Sequence, residues 1–286
     1  MRTGHRSATS RSLSQHHLRN AAVAERIVAA SGLAPPEFVI DAGAGDGVLT
    51  RALARHAGFV LAVEKDRTSF EALCRNTAGL ANVRPVLGDI LELPLPVRRP
   101  YHVVANLPFN ATSAFIQRLV ASKTPPCSAH LVVQRDAALA WTGLSGESRR
   151  TLLAKNCFDF DIVLALRRSD FVPPPSVEAV VLRIARRAQP RLRGRELARF
   201  ERLVTIGFGG RHRELRANLR GMAGYERFRA LAGELEFRFD AAPGELTFAQ
   251  WQGLAERLAA APAAVTAGGA RGARARGRAP PRPRRG

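Results

Sequence analysis

Between residues 38 and 134, five short apolar runs each stop abruptly at glycine or at a polar residue. That recurrence leaves the chain few folds to choose from. Phe38-Val39-Ile40 runs into Asp41-Ala42-Gly43-Ala44-Gly45-Asp46-Gly47, and residues 60–63 end in Glu64. Residues 83–87 close at Gly88-Asp89-Ile90, residues 101–105 at Asn106-Leu107-Pro108-Phe109, and residues 129–134 at Arg135-Asp136. Runs of this length read as strands. Helical spacing over residues 48–53, 70–74 and 113–120 separates them, which predicts an α/β fold with a parallel sheet and helices on both faces. In open sheets of this kind, ligands bind outside the C-terminal strand ends. The polar stops therefore define the candidate site.

The rest of the chain is arranged around that sheet. Residues 1–12 read as a flexible basic arm, and a helix over residues 21–28 ends at Ser31-Gly32. A mobile stretch is expected at 141–148, then a helix at 149–156. Two further strands, 160–166 and 177–184, are joined without a helix and predict an antiparallel edge. The main domain is placed at 13–188. A small helical domain at 189–262 follows, with helices expected at 197–206, 213–219, 225–231 and 248–258. Beyond it, residues 263–286 are almost entirely Ala, Gly, Pro and Arg, with seven arginines and no acid after residue 270. Such a composition cannot form a core and predicts a disordered basic tail.

The charge points to a partner. A formal net charge of +20, with 44 basic residues of which only Lys65, Lys123 and Lys155 are lysine, predicts a polyanion. A bias towards arginine codons would explain Arg over Lys but not the shortage of acids. Cys74, Cys127 and Cys157 are scattered and in no metal spacing, which suits a reducing cytosol. No apolar run approaches the ~18 residues of a membrane helix, so a cytoplasmic protein is expected. His16-His17 invites a metal reading but lacks further ligands at suitable spacing, and no metal is expected.

The strand ends converge on one chemistry. The glycine turn, spaced G-x-G-x-G, lets a ligand approach bare backbone. Glu64 lies 21 residues after Gly43, where an acid typically takes the two ribose hydroxyls of a nucleoside. Asp89 can accept from an exocyclic amine. No basic residue lies in the glycine turn and no phosphate-binding G-x-x-x-x-G-K-[ST] occurs. S-adenosyl-L-methionine therefore fits better than a triphosphate or NAD.

These residues also carry a resemblance. D-A-G-A-G-D-G, V-E-K-D, G-D-I and N-L-P-F resemble the successive motifs of Rossmann-like S-adenosylmethionine-dependent methyltransferases, and N-L-P-F marks those acting on nucleobase amino groups. With S-Q-x-x-L near the start and F-V-P-P-P-S-V-E-A-V-V-L-R-I late, residues 11–260 are similar to the ribosomal RNA adenine N6-methyltransferases. Those include the macrolide–lincosamide–streptogramin B resistance enzymes of 23S RNA and the small-subunit dimethyladenosine transferases. The L-R-R-S-D-F-V-P-P-P run and the Arg/Gly/Pro tail favour the 23S branch. The 16S branch remains the alternative, and a non-catalytic RNA-binding protein the rival of another class.

The resemblance places cofactor contacts at His16, Leu18, Gly43, Gly45, Glu64, Asp89 and Asn106. It departs at one point, since the family usually has Asn-Phe where this chain has His16-His17. The resemblance also implies that Asn106 and the Leu107 carbonyl accept the two hydrogens of the adenine amino group. Pro108 would fix that carbonyl and Phe109 would stack on the base, with proton loss left to water. Phe171 is either a second stacking ring or a core residue anchoring its Pro-rich loop. Arg135, Arg211, Arg213 and Arg216 are candidate RNA contacts, and a monomer is expected.

Overall fold

The computed structural model describes residues 16–35, 37–96 and 99–260. The basic arm, Ser14-Gln15 of the first motif and the tail expected over 263–286 lie outside the described residues. The described chain begins with β1 (His17–Leu18), α1 (Ala21–Ser31), β2 (Phe38–Ala42), α2 (Val48–Ala54), β3 (Phe59–Glu64), α3 (Arg67–Thr77) and β4 (Val83–Leu87). Then come β5 (His102–Ala105), α4 (Phe109–Ala121), β6 (Ser128–Gln134), α5 (Arg135–Thr142), α6 (Arg149–Lys155), β7 (Phe158–Leu166), β8 (Phe171–Val172) and β9 (Ala179–Arg186). Four helices close the described part: α7 (Gly194–Gly209), α8 (Leu215–Asn218), α9 (Tyr225–Glu234) and α10 (Phe248–Ala260).

Seven strands form one sheet in the order β4-β3-β2-β5-β6-β9-β7. The first five are parallel, whereas β9 runs antiparallel to both β6 and β7. The buried runs explain the layers. Side chains alternate across a strand, so Ile40, Ala42, Val103 and Ala105 join the core on one face. Val39, Val60, Val104 and Val132 join the core on the other. Both rims are irregular. β4 carries Pro85 in the outermost row, and β7 breaks register between Ile162 and Leu164.

Two expectations change and one holds. Among the described residues the connection from β4 to β5 contains no helix, so helices do not separate every pair of the parallel strands. The last two strands do pair antiparallel at one rim of the sheet, with β9 between β6 and β7. The stretch expected to be mobile at 141–148 begins inside α5, whose Trp141 is buried against Phe160. Its remainder is tied down: the Glu147 backbone N–H donates to the Gly244 carbonyl at 2.7 Å, and its carboxylate pairs with Lys155.

The C-terminal helices enclose a third core around Trp251, Phe200 and Phe228. Leu152 of α6 packs into it, so the helical unit is built partly from a helix preceding residue 188. Gly207 of α7 sits where a Cβ would run into the Trp251 ring and within 2.9 Å of Leu215. Gly207→Ala is therefore expected to lower stability by about 1–3 kcal/mol through overpacking. Urea unfolding checks this, and an unchanged midpoint would refute the packing argument.

Candidate active site

The strand order reverses between β2 and β5, since the chain winds outward to β4 and then restarts beside β2. One pocket opens there, lined by residues from the C-terminal ends of β2, β3, β4 and β5. It brings together Gly43, Gly45, Glu64, Asp89, Asn106, Leu107 and Pro108, along with His16 and Leu18.

The glycine turn forms because Gly43 and Gly45 take positive φ, 72° and 58°, which L side chains adopt only at a cost. At Gly43 a second constraint applies, as a Cβ would lie 2.8 Å from Leu107 Cδ2. Bare backbone thus lets the loop after β5 press onto the turn after β2. Glu64, 5% exposed at the end of β3, accepts from the Gly45 N–H on Oε2 at 2.8 Å. Its Oε1 accepts from Lys65 and Asp66 N–H at 2.9 and 2.8 Å. Asp89 is held by the Leu91 N–H at 2.9 Å and faces Lys65 Nζ at 3.7 Å.

Behind the turn lies a group that the sequence pattern does not single out. Asp41 is fully buried, and the Thr50 hydroxyl of α2 donates to its Oδ2 at 2.6 Å while Oδ1 has no partner among the described residues. Burial pushes its carboxyl from 3.8 to about 7, Thr50 opposes this, and the charge of Glu64 adds to it. The folded value lies above the unfolded one. Stability from the neutral carboxyl is therefore complete below about 4 and is lost as pH rises through about 7. Asp41→Asn is neutral throughout and can still accept from Thr50. Urea midpoints should show it gaining on the parent chain between pH 5 and pH 8, and a constant difference would contradict this.

The loop after β5 ends the strand because Pro108 has no N–H to continue a ladder. Asn106 Nδ2 donates to the His16 carbonyl at 2.9 Å, which leaves Oδ1 as its available acceptor. The Leu107 carbonyl takes no hydrogen bond from the described residues. Phe109 begins α4, half-buried, with its ring 5.5 Å from that of His16.

Other expected residues fall elsewhere. Phe171 is 0% exposed in the core beneath α1 and pairs with Leu18 across the β1–β8 ribbon. Of its two readings, the core anchor describes this geometry, and the ring is not presented to the pocket. Arg135 is exposed but within 3.5 Å of Glu178. Arg216 is held by Glu214 at 2.5 Å and lies over the Phe239 ring. Arg211 and Arg213 are exposed. None of the four arginines lines the pocket. Lining residues beyond the sequence expectation include Lys65, adjacent to the predicted Glu64, and His17, which the His-His pair could have suggested.

The donor set fits S-adenosylmethionine. It offers a buried carboxylate for hydroxyls, a turn that a Cβ would fill, a second carboxylate for an amine, and no phosphate cradle. Residues 6–258 match the ribosomal RNA adenine dimethylase family. The Ribosomal RNA small subunit methyltransferase A of Synechococcus is 31% identical over 85% of this chain and 91% of its own length. An rRNA adenine N-6-methyltransferase of Aeromicrobium erythreum is 35% identical over 70% of this chain and 59% of its own. Among solved structures, the 23S rRNA methyltransferase ErmE is 31% identical with a TM-score of 0.78, covering 85% of this chain and 99% of that one. A dimethyladenosine transferase from Plasmodium falciparum shares the fold at 20% identity and TM-score 0.66, covering 84% and 97%. The polar strand ends, the pocket they form and these matches agree: the chain belongs to the ribosomal RNA adenine N6-methyltransferases, a family of S-adenosylmethionine-dependent enzymes.

Proposed function

We propose that the chain methylates N6 of an adenine in 23S ribosomal RNA, as a cytoplasmic monomer, and so confers macrolide–lincosamide–streptogramin B resistance. The observation carrying the choice of RNA is the likeness to ErmE, at TM-score 0.78 against 0.66 for the dimethyladenosine transferase. The small-subunit methyltransferases, matched over 91% of their length in one case, support a second reading with 16S RNA as substrate. Offering labelled cofactor with protein-free 23S RNA and with small-subunit particles separates the two. Label is expected in the 23S RNA, and label confined to the particles would transfer the proposal to the second reading.

When bound, S-adenosylmethionine supplies a methyl group on a cationic sulfur. In this reading Glu64 receives ribose hydroxyls, the Gly43–Gly45 turn leaves room for the carboxylate-bearing end, and Asp89 accepts from the base. An adenine amino nitrogen is a weak nucleophile because its lone pair is delocalised into the ring. Asn106 Oδ1 and the Leu107 carbonyl accept its two hydrogens and localise that pair, while the Phe109 ring favours developing positive charge. Catalysis is then positioning and electrostatics. The target base has to be unpaired or flipped out to reach the pocket.

RNA attachment is assigned to Arg211 and Arg213, which are exposed and, among the described residues, lack the ion pairing that occupies Arg135 and Arg216. The arginines of 271–286 would extend the same attraction. Replacing Arg211 and Arg213 together by alanine should lessen the slope of log affinity against log salt by about 1–2, with cofactor affinity unchanged. An unaltered slope would remove these two residues from the RNA surface.

A further inference from the structure

We propose that His16 is a catalytic residue of this enzyme, a proton acceptor for the methylated amino group. This rests on the function proposed above. Three contacts place it. Its carbonyl accepts from Asn106 Nδ2 at 2.9 Å, its ring lies 5.5 Å from the Phe109 ring, and it lines the pocket at the mouth of β5. The fourth contact fixes its chemistry. Nδ1 sits 2.9 Å from the Pro173 carbonyl, which can only accept. Nδ1 therefore carries a proton, and in the neutral ring Nε2, with no partner among the described residues, keeps a lone pair.

The electron count leaves a proton for such a group to take. As the amino nitrogen's lone pair forms the N–C bond, the S–C bond breaks and its electrons stay on sulfur. Nitrogen is left cationic with two hydrogens. The acceptors already beside it, the Asn106 amide oxygen and the Leu107 carbonyl, hold hydrogen bonds but are too weakly basic to keep a proton. His16 Nε2 is basic enough. It takes one hydrogen as a proton, becomes imidazolium still bonded to Pro173 through Nδ1, and passes the proton to water. In a chain with an amide at this position, water alone would serve.

Other charges face the same space and have to be separated from His16. His17 at the start of β1, Asp46 on the glycine turn, Glu64 and Lys65 at the end of β3, and Asp89 after β4 all line the pocket. On the Pro-rich side, Arg168 donates to the Pro175 carbonyl at 2.7 Å and Asp170 pairs with Arg26 at 3.1 Å. α4 brings no charged residue before Arg118.

Single-turnover methyl transfer against pH tests the assignment, with His16→Asn, His16→Gln and His17→Asn beside the parent chain. The parent rate should fall as pH is lowered, because a proton acceptor has to be unprotonated to act. His16→Asn and His16→Gln should be slower at neutral pH by about 10²-fold, the low end for a positioned proton acceptor, with the acid limb gone. His17→Asn should keep the limb. Nitrogen-15 spectra of the free protein give a reading independent of turnover, with His16 in the Nδ1-protonated form. A limb that survives in both His16 variants while the parent is active overturns the proposal, as does an Nε2-protonated ring. A parent chain that methylates neither RNA overturns the function on which it rests.

Discussion

Asn106→Ala is expected to reduce methyl transfer by about 10³-fold, equivalent to about 4 kcal/mol of transition-state stabilisation. The substitution removes the Oδ1 acceptor that the hydrogen bond from Nδ2 to His16 leaves facing the pocket. It also leaves the His16 carbonyl without that donor, so β1 loses one of its ties to the strand ends. Because Glu64, Asp89 and the glycine turn are untouched, cofactor affinity should change by less than about tenfold, since only a single contact is lost. Single-turnover rates and equilibrium dialysis separate the two effects. A rate within tenfold of the parent's would remove Asn106 from the methyl-transfer step.

Glu64→Gln should have the second-largest effect, on cofactor affinity. Three backbone N–H groups converge on the Glu64 carboxylate, two on one oxygen and one on the other. An amide offers one oxygen and one NH2. If its oxygen faces Lys65 and Asp66, the NH2 confronts the Gly45 N–H, and the reverse orientation confronts two donors. Either way a nearly buried donor is stranded, at a cost of about 1–3 kcal/mol. The glycine turn then shifts from the geometry that admits the ligand. Affinity should fall by about 10²-fold while the sheet stays folded. Calorimetric titration checks this, and retention of affinity would mean that Glu64 does not organise the turn.

The strand ends are legible in the sequence because each is local. An apolar run terminated by Gly43, Glu64, Asp89 or Asn106 needs no distant partner to be recognised, and parallel winding brings all four to one crevice. Features built from distant pairings are not legible in that way. β1 and β8 are two residues long and about 150 residues apart, too short for either to show periodicity. Their pairing brings His17 to the pocket wall and turns Phe171 into the core. A phenylalanine beside three prolines reads the same whether its ring faces solvent or protein. α5 leaves little trace because Ala138 and Trp141 are its only buried residues, and the glycines that follow suggest a loop. Asp41 looks like part of the glycine motif; only depth, with Thr50 beneath the turn, separates it from Asp46.

The two rims of the sheet bear on how this chain survives its own synthesis. Nearly half its residues are apolar, and strands with free edges recruit other strands. Pro85 in β4 and the register break in β7 blunt both rims of the finished sheet. The hazard is transient. β6 is buried over most of its length, and its open side waits for residues 179–186 to be made and to slot in. Until then β6 is an unguarded edge on a nascent chain. A ribosome that stalls before residue 186 would release an aggregation seed, so the last strand made is the one that makes the product safe for the cell.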